Sequence, residues 1–97
     1  MYYVYVLENG PEFYIGRTNN LQKRVRQHNA GKNQSTKRAD NWKLIYYEAH
    51  LDFEDAKRRE SYVKGSVGRR SLKRILKSYL SSHPFGAQSS TSGGLKK

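Results

Sequence analysis

The sequence predicts an α+β fold of three strands and three helices, in the order β-β-α-β-α-α, ahead of a tail. Three observations predict it. Aromatic and β-branched residues fill Tyr2–Leu7 (Y-Y-V-Y-V-L) and recur at Phe13–Thr18, just past the turn signal Asn9-Gly10-Pro11. Leu21, Val25 and His28 then fall at i, i+4 and i+7, the spacing of a helix stripe. A strand-like run at Trp42–His50 (W-K-L-I-Y-Y-E-A-H) is followed by two further amphipathic stretches.

Each element has its own signal. Tyr2–Leu7 lacks a polar face, which favours a strand covered on both sides, and hairpin spacing pairs it antiparallel with Phe13–Thr18. Alternation puts Tyr3, Tyr5 and Leu7 on one face of the first strand, and Tyr14 with Gly16 on one face of the second. Asn19 or Asn20 caps a first helix at Leu21–Asn29. Ala30–Asn41 is polar and basic without apolar period and reads as a mobile loop. Asp52 caps a second helix, Phe53–Lys64, with Glu54 and Asp55 in its first turn and Gly65 at its end. A third helix is expected at Arg69–Ser81, with Leu72, Ile75, Leu76 and Tyr79 inward. One domain over residues 1–82 and a disordered Ser/Gly-rich tail over 83–97 complete the expected organisation.

Composition narrows the function. The 97 residues carry 19 Lys plus Arg against 8 Asp plus Glu, a formal net charge of +11. So strong a field on so small a body implies a polyanionic partner, nucleic acid or an anionic membrane surface. No lysine-flanked apolar face and no spanning apolar run favours the membrane. With no cysteine, disulfides and thiolate metal sites are excluded, and no secretory signal opens the chain, so a cytoplasmic setting is expected.

Two charged residues fall on apolar stripes. Arg24 lies along the inner edge of the Leu21–Val25–His28 row, where a half-buried guanidinium needs either a structural ion pair or an anionic ligand such as phosphate. Glu60 sits within the 3, 4, 3 spacing of Phe53, Ala56, Glu60 and Val63. A carboxylate there needs a cation, either Arg24 or a divalent metal. Tyr5 and Tyr14, on adjacent hairpin strands, can lie side by side, and Gly16 is expected to leave open space through which a substrate backbone approaches. His28 is one turn from Arg24, so both can face the same place, with a half-buried structural histidine as the competing reading. His50 and His83 lack partners at metal-ligand spacing.

These residues carry a family resemblance. Tyr3-Val4-Tyr5, Tyr14-Ile15-Gly16, Lys23-Arg24, His28 and Glu60, in that order and spacing, resemble the GIY-YIG nuclease domain over about Met1–Leu80. H-N-A-G-K, K-L-I-Y-Y-E, R-R-E-S-Y-V-K and G-R-R-S-L-K-R are similar to its small stand-alone bacterial members, which are akin to the N-terminal domain of an excinuclease subunit. The resemblance implies a three-stranded antiparallel sheet flanked by helices and hydrolysis of DNA, including branched or single-stranded forms, with one Mg²⁺ or Mn²⁺. It implies Tyr5 as general base or water-orienting phenol, Tyr14 as holder of the water, Arg24 on the scissile phosphate and Glu60 as the protein's metal ligand. His28 and Lys23 match assisting positions. Gly16, Arg17, Lys23, Lys32, Lys37, Arg38, Arg69 and Arg70 are the expected substrate contacts, with DNA favoured over RNA. The first glycine of the family name is Tyr3 here, and the late asparagine of larger members has no counterpart after Asn41. A binding module with weak or no turnover, in which Arg24 and Glu60 simply pair, is the alternative.

Overall fold

The computed structural model describes residues 1–31 and 41–82. The expectations for Lys32, Lys37, Arg38, His83 and the tail at 83–97 lie outside the described residues. The chain divides into two units, Met1–Tyr62 and Val63–Lys97.

In the first unit, β1 (Tyr2–Asn9), β2 (Glu12–Thr18) and β3 (Lys43–His50) form one antiparallel sheet in the order β2-β1-β3. The two-sided apolar strand takes the centre: Val4, Tyr5, Val6 and Leu7 are all buried. Burying each such side chain contributes about 1.5–3 kcal/mol, which makes β1 the anchor of the sheet. Gly10 turns the β1–β2 hairpin at φ 61°, a left-handed conformation that glycine adopts without strain. The hairpin register sets Leu7 opposite Tyr14, Tyr5 opposite Gly16 and Tyr3 opposite Thr18, so the predicted faces hold. On the other edge Val6 pairs with Tyr46 but Leu7 with Leu44, a bulge that skips Ile45 and keeps Leu44 against the core.

Helix α1 (Leu21–Asn29) begins at Asn20, whose Oδ1 accepts from the Lys23 amide at 3.1 Å. Leu21 and Val25 pack against Tyr5, Leu7 and Trp42, which fixes α1 on the Tyr5 face of the sheet. Asn29 closes the return of the chain: its Oδ1 accepts from the Trp42 amide at 2.6 Å, and its Nδ2 donates to the Trp42 carbonyl at 3.1 Å. Trp42 is thereby buried just before β3 rather than within it.

Helix α2 (Phe53–Lys64) has the predicted bounds. It lies against the opposite face, the one carrying Tyr2, Val4, Arg17 and Glu48: Phe53 meets the Tyr2 ring edge-on at 5.5 Å, and Arg59 Nε donates to both Glu48 carboxylate oxygens at 2.9 Å. Along the expected stripe Ala56 and Val63 are buried, but Phe53 is 42 % exposed, its ring lying against Tyr2 and the Arg17 guanidinium.

The second unit corrects the expected third helix. In place of Arg69–Ser81 there are two segments, α3 (Ser66–Ile75) and α4 (Lys77–Ser82), so the order is β-β-α-β-α-α-α. Gly65, extended at φ −77° and ψ 169°, caps α3 directly, and its carbonyl accepts from the Arg69 amide at 2.9 Å, so the helix starts three residues early. At Leu76 the backbone opens to φ −96° and ψ 20°, while the bonds Leu76 to Leu72 and Leu80 to Leu76 persist at 2.9 Å. The buried row therefore steps in fours through Leu72, Leu76 and Leu80. Ile75, expected inward, is half exposed beside it. Arg69 and Arg70 are exposed on α3.

Candidate active site

The site is built on the Tyr5 face of the sheet. Tyr5 is fully buried because a central strand carries it beneath α1, yet its hydroxyl must find polar partners there. Helix α1 supplies them four residues apart. Arg24 Nε donates to Tyr5 Oη at 3.3 Å, and His28 Nε2 lies 2.9 Å from the same oxygen. Arg24 also donates through Nη1 to Gln27 Oε1 at 3.1 Å. Since Arg24 can only donate, the Tyr5 oxygen accepts from it, and the His28 ring makes the second contact to the same hydroxyl.

Tyr14 completes an aromatic cluster. Its ring centroid is 4.6 Å from that of His28 and 6.2 Å from that of Tyr5. Gly16 makes the packing possible. A Cβ there would lie 2.5 Å from Tyr5 Oη and 3.0 Å from Tyr14 Cε2. The space over Gly16, expected to be open, is thus filled by the Tyr5 phenol. The reason is register: Gly16 is directly opposite Tyr5 on the neighbouring strand.

Electrostatics follow from burial. Desolvation pushes the Tyr5 phenol up to about 12, outweighing the Arg24 hydrogen bond that favours phenolate; the nearby Tyr14 and Glu60 push the same way as burial. Among the protein's own groups, burial thus outweighs the cation beside Tyr5. Burial, then the charge of Arg24, pushes His28 down to about 4, so the imidazole is neutral at pH 7. Arg24 is held above its ordinary range, first by its hydrogen bond to Tyr5.

Arg24 opens onto a cleft of about 290 Å³ lined by Arg17, Thr18, Asn19, Asn20, Lys23, Arg24 and Gln27. Three cations and no carboxylate line it, which suits an anion. One Arg17 nitrogen, Nη1, is buried without a hydrogen-bond partner in the described structure. Thr18 and Gln27 were not singled out from sequence, and Asn19 only as a candidate cap of α1. Only the turn position of Asn19 and the helical i+3 step from Arg24 to Gln27 could have marked them.

Glu60 reaches this region from α2, but its ion pair is not with Arg24. Arg17 Nε is 3.4 Å from Glu60 Oε1, and the Arg17 guanidinium stacks over the Phe53 ring at 4.9 Å. Arg17 shares the Val4 face of the sheet with α2, whereas Arg24 belongs to the helix on the other face. A residue-by-residue stripe does not reveal which element will lie across from it. The Glu60 carboxylate is 16 % exposed and meets the Arg17 guanidinium through Oε1. Among the described residues no three His, Cys, Asp or Glu side chains cluster as metal ligands. A single carboxylate fits a Mg²⁺-like ion that keeps most of its waters, and does not fit a structural zinc.

Comparison with known proteins finds related sequences. The family model described as the GIY-YIG catalytic domain matches residues 1–75. A UPF0213 protein of Clostridium perfringens (strain 13 / Type A) is 38 % identical over 77 residues, covering 77 % of this chain and 83 % of the relative. No solved structure matches the chain.

Proposed function

The chain belongs to the GIY-YIG catalytic domain family, a family of nucleases, and from that premise we propose that it is a metal-dependent endonuclease hydrolysing phosphodiester bonds in DNA. The observation that carries the reading is the Tyr5 hydroxyl held between Arg24 Nε and His28 Nε2 beside a cleft lined by three cations.

In this reading the substrate phosphate enters the cleft between Arg17, Lys23 and Arg24, where charge-assisted hydrogen bonds hold it and stabilise the charge that builds in the transition state. Arg24 is the main donor, because its other contacts go to the neutral oxygens of Tyr5 and Gln27. Tyr5 is the general base. In its ionised form Tyr5 Oη takes a proton from the attacking water, the hydroxide adds to phosphorus as the P–O bond to the leaving oxygen breaks, and the leaving oxygen takes a proton from solvent; Arg24 Nε and His28 Nε2 fix the position of the Tyr5 oxygen. Tyr14 orients that water. Glu60 would hold one Mg²⁺ or Mn²⁺, which when bound supplies charge stabilisation on the phosphate oxygens. Gly16 serves by letting the two tyrosines and His28 pack. Arg69 and Arg70 on α3, with Lys32, Lys37 and Arg38, are proposed to hold flanking backbone.

No described helix is long and apolar enough to cross a membrane, and the charge of +11 suits a nucleic-acid substrate. A second reading, a binding module without turnover, draws on the Arg17–Glu60 pair, which satisfies the carboxylate without metal. Cleavage of labelled duplex, single-stranded, flap and four-way DNA and of RNA, with Mg²⁺ or Mn²⁺, separates the two. Metal-dependent cleavage that Glu60→Ala abolishes is the expected result. Salt-sensitive binding without cleavage would favour the second reading.

A further inference from the structure

Half-buried Tyr3 and exposed Tyr47 lie side by side on the Tyr5 face of the sheet. Tyr47 is 53 % exposed although it sits on β3 directly opposite Tyr5, which is fully buried. The Tyr3 ring meets it edge-on, with centroids 5.8 Å apart and planes at 70°. Both rings project from the same sheet face as Tyr5, since Tyr3 and Tyr5 are two apart on β1 and Tyr47 is the cross-strand partner of Tyr5. Tyr3 is in turn the cross-strand partner of Thr18, which lines the cationic cleft. Moving across the strands, the surface thus runs from cleft to Thr18 to Tyr3 and on to Tyr47.

We infer that Tyr3 and Tyr47 form a stacking platform for an unpaired nucleobase of the strand whose phosphate occupies the cleft. This rests on the nuclease reading and narrows its substrate class to nucleic acid that is single-stranded or unpaired near the cut. Four physical points support it. Base-on-aromatic stacking is strong and tolerant of sequence, because every base offers a π face. A base within a duplex has no free face to offer such a ring. The edge-on Tyr3 restrains the Tyr47 ring before any ligand arrives, so less side-chain freedom is lost on binding. The cleft next to Thr18 carries three cations and no carboxylate, complementary to the phosphate that must accompany the base.

The test uses metal-free protein in EDTA and a short single strand containing 2-aminopurine, beside its paired duplex. Binding of the single strand quenches the 2-aminopurine fluorescence. Tyr47→Ala loses the quenching and binds the single strand about tenfold more weakly, while duplex affinity changes less than about twofold. Tyr47→Trp restores quenching and affinity, which a merely structural role for the tyrosine would not produce. Circular dichroism confirms that each variant is folded. Equal weakening toward both forms, or quenching unchanged in Tyr47→Ala, overturns the platform and leaves the nuclease reading standing. A wild-type protein that binds no nucleic acid overturns both.

Discussion

Two arginines on opposite faces of the sheet meet their burial in different ways. Arg59, on α2, donates through Nε to both oxygens of Glu48 at 2.9 Å, and Tyr46 Oη and His50 add to the same carboxylate. Its charge is answered within the protein. Arg24, on α1, is also half-buried, but its hydrogen bonds run to the phenol of Tyr5 and the amide of Gln27. Neutral oxygens satisfy its donors without cancelling its charge, and that charge faces a cleft. A structural arginine is paired with a carboxylate, whereas one prepared for an anionic ligand is positioned by groups that leave its charge available.

Truncating each arginine sharpens that contrast. Arg24→Ala should lower DNA cleavage about 10²- to 10³-fold, the usual loss when one preorganised donor to a developing oxyanion is removed. Single-turnover rates measure it, with circular dichroism as the control for folding. Arg59→Ala should instead lower stability by about 1–2 kcal/mol, a buried-pair penalty discounted because both partners keep some contact with solvent. Urea midpoints measure that loss. Equal cleavage defects in the two variants would erase the distinction between the faces.

Gly16→Ala should cost about 1–3 kcal/mol of stability, because the new methyl would lie 2.5 Å from Tyr5 Oη and the fully buried Tyr5 ring has no room to move aside. If the variant is as stable as wild type, Tyr5 is not held where the hydrogen bonds to Arg24 and His28 require it.

The buried histidine gives the Arg24 face its own pH signature. His28 falls from an ordinary 6.5 to about 4 in the folded protein, so the unfolded chain binds its proton more readily. Stability is therefore fully present above about pH 6.5, falls as the pH drops toward 4, and levels off below that. The contribution is at most about 3 kcal/mol. Urea midpoints from pH 7 to pH 4 should show the slope, and His28→Gln should flatten it. The smallest effect expected is that of Asn20→Ala, about 1 kcal/mol from loss of the α1 cap.

Much of this was legible in the residues. The strand runs, the Asn20 cap and the bounds of α1 and α2 follow from local periodicity and capping, which do not depend on distant partners. The pairing of Tyr5 with Tyr14, and of Arg24 and His28 with that cluster, follows from alternation on the hairpin and the i+4 step of the helix. What could not be read was which surface each element meets. Glu60 stands on an inward stripe, but only the arrangement of α1 and α2 on opposite faces shows that Arg17, not Arg24, lies across from it. The Asn29–Trp42 bonds join residues thirteen apart and leave no periodic trace. Gly16 signalled missing volume, while the identity of the group filling it, the Tyr5 phenol, required the strand register.

The pH–rate profile for cleavage of labelled DNA by wild-type protein and Tyr5→Phe bears on the role of Tyr5 more closely than any other experiment. With the phenol pushed up to about 12, phenolate is scarce at neutral pH, and its fraction grows tenfold with each pH unit below that value. Wild-type single-turnover rates should therefore climb steadily from neutral into alkaline pH. Tyr5→Phe should be slower by about 10²-fold or more and lose that climb. A Tyr5→Phe enzyme that cleaves at the wild-type rate with the same pH dependence would contradict the assignment of Tyr5 as the base.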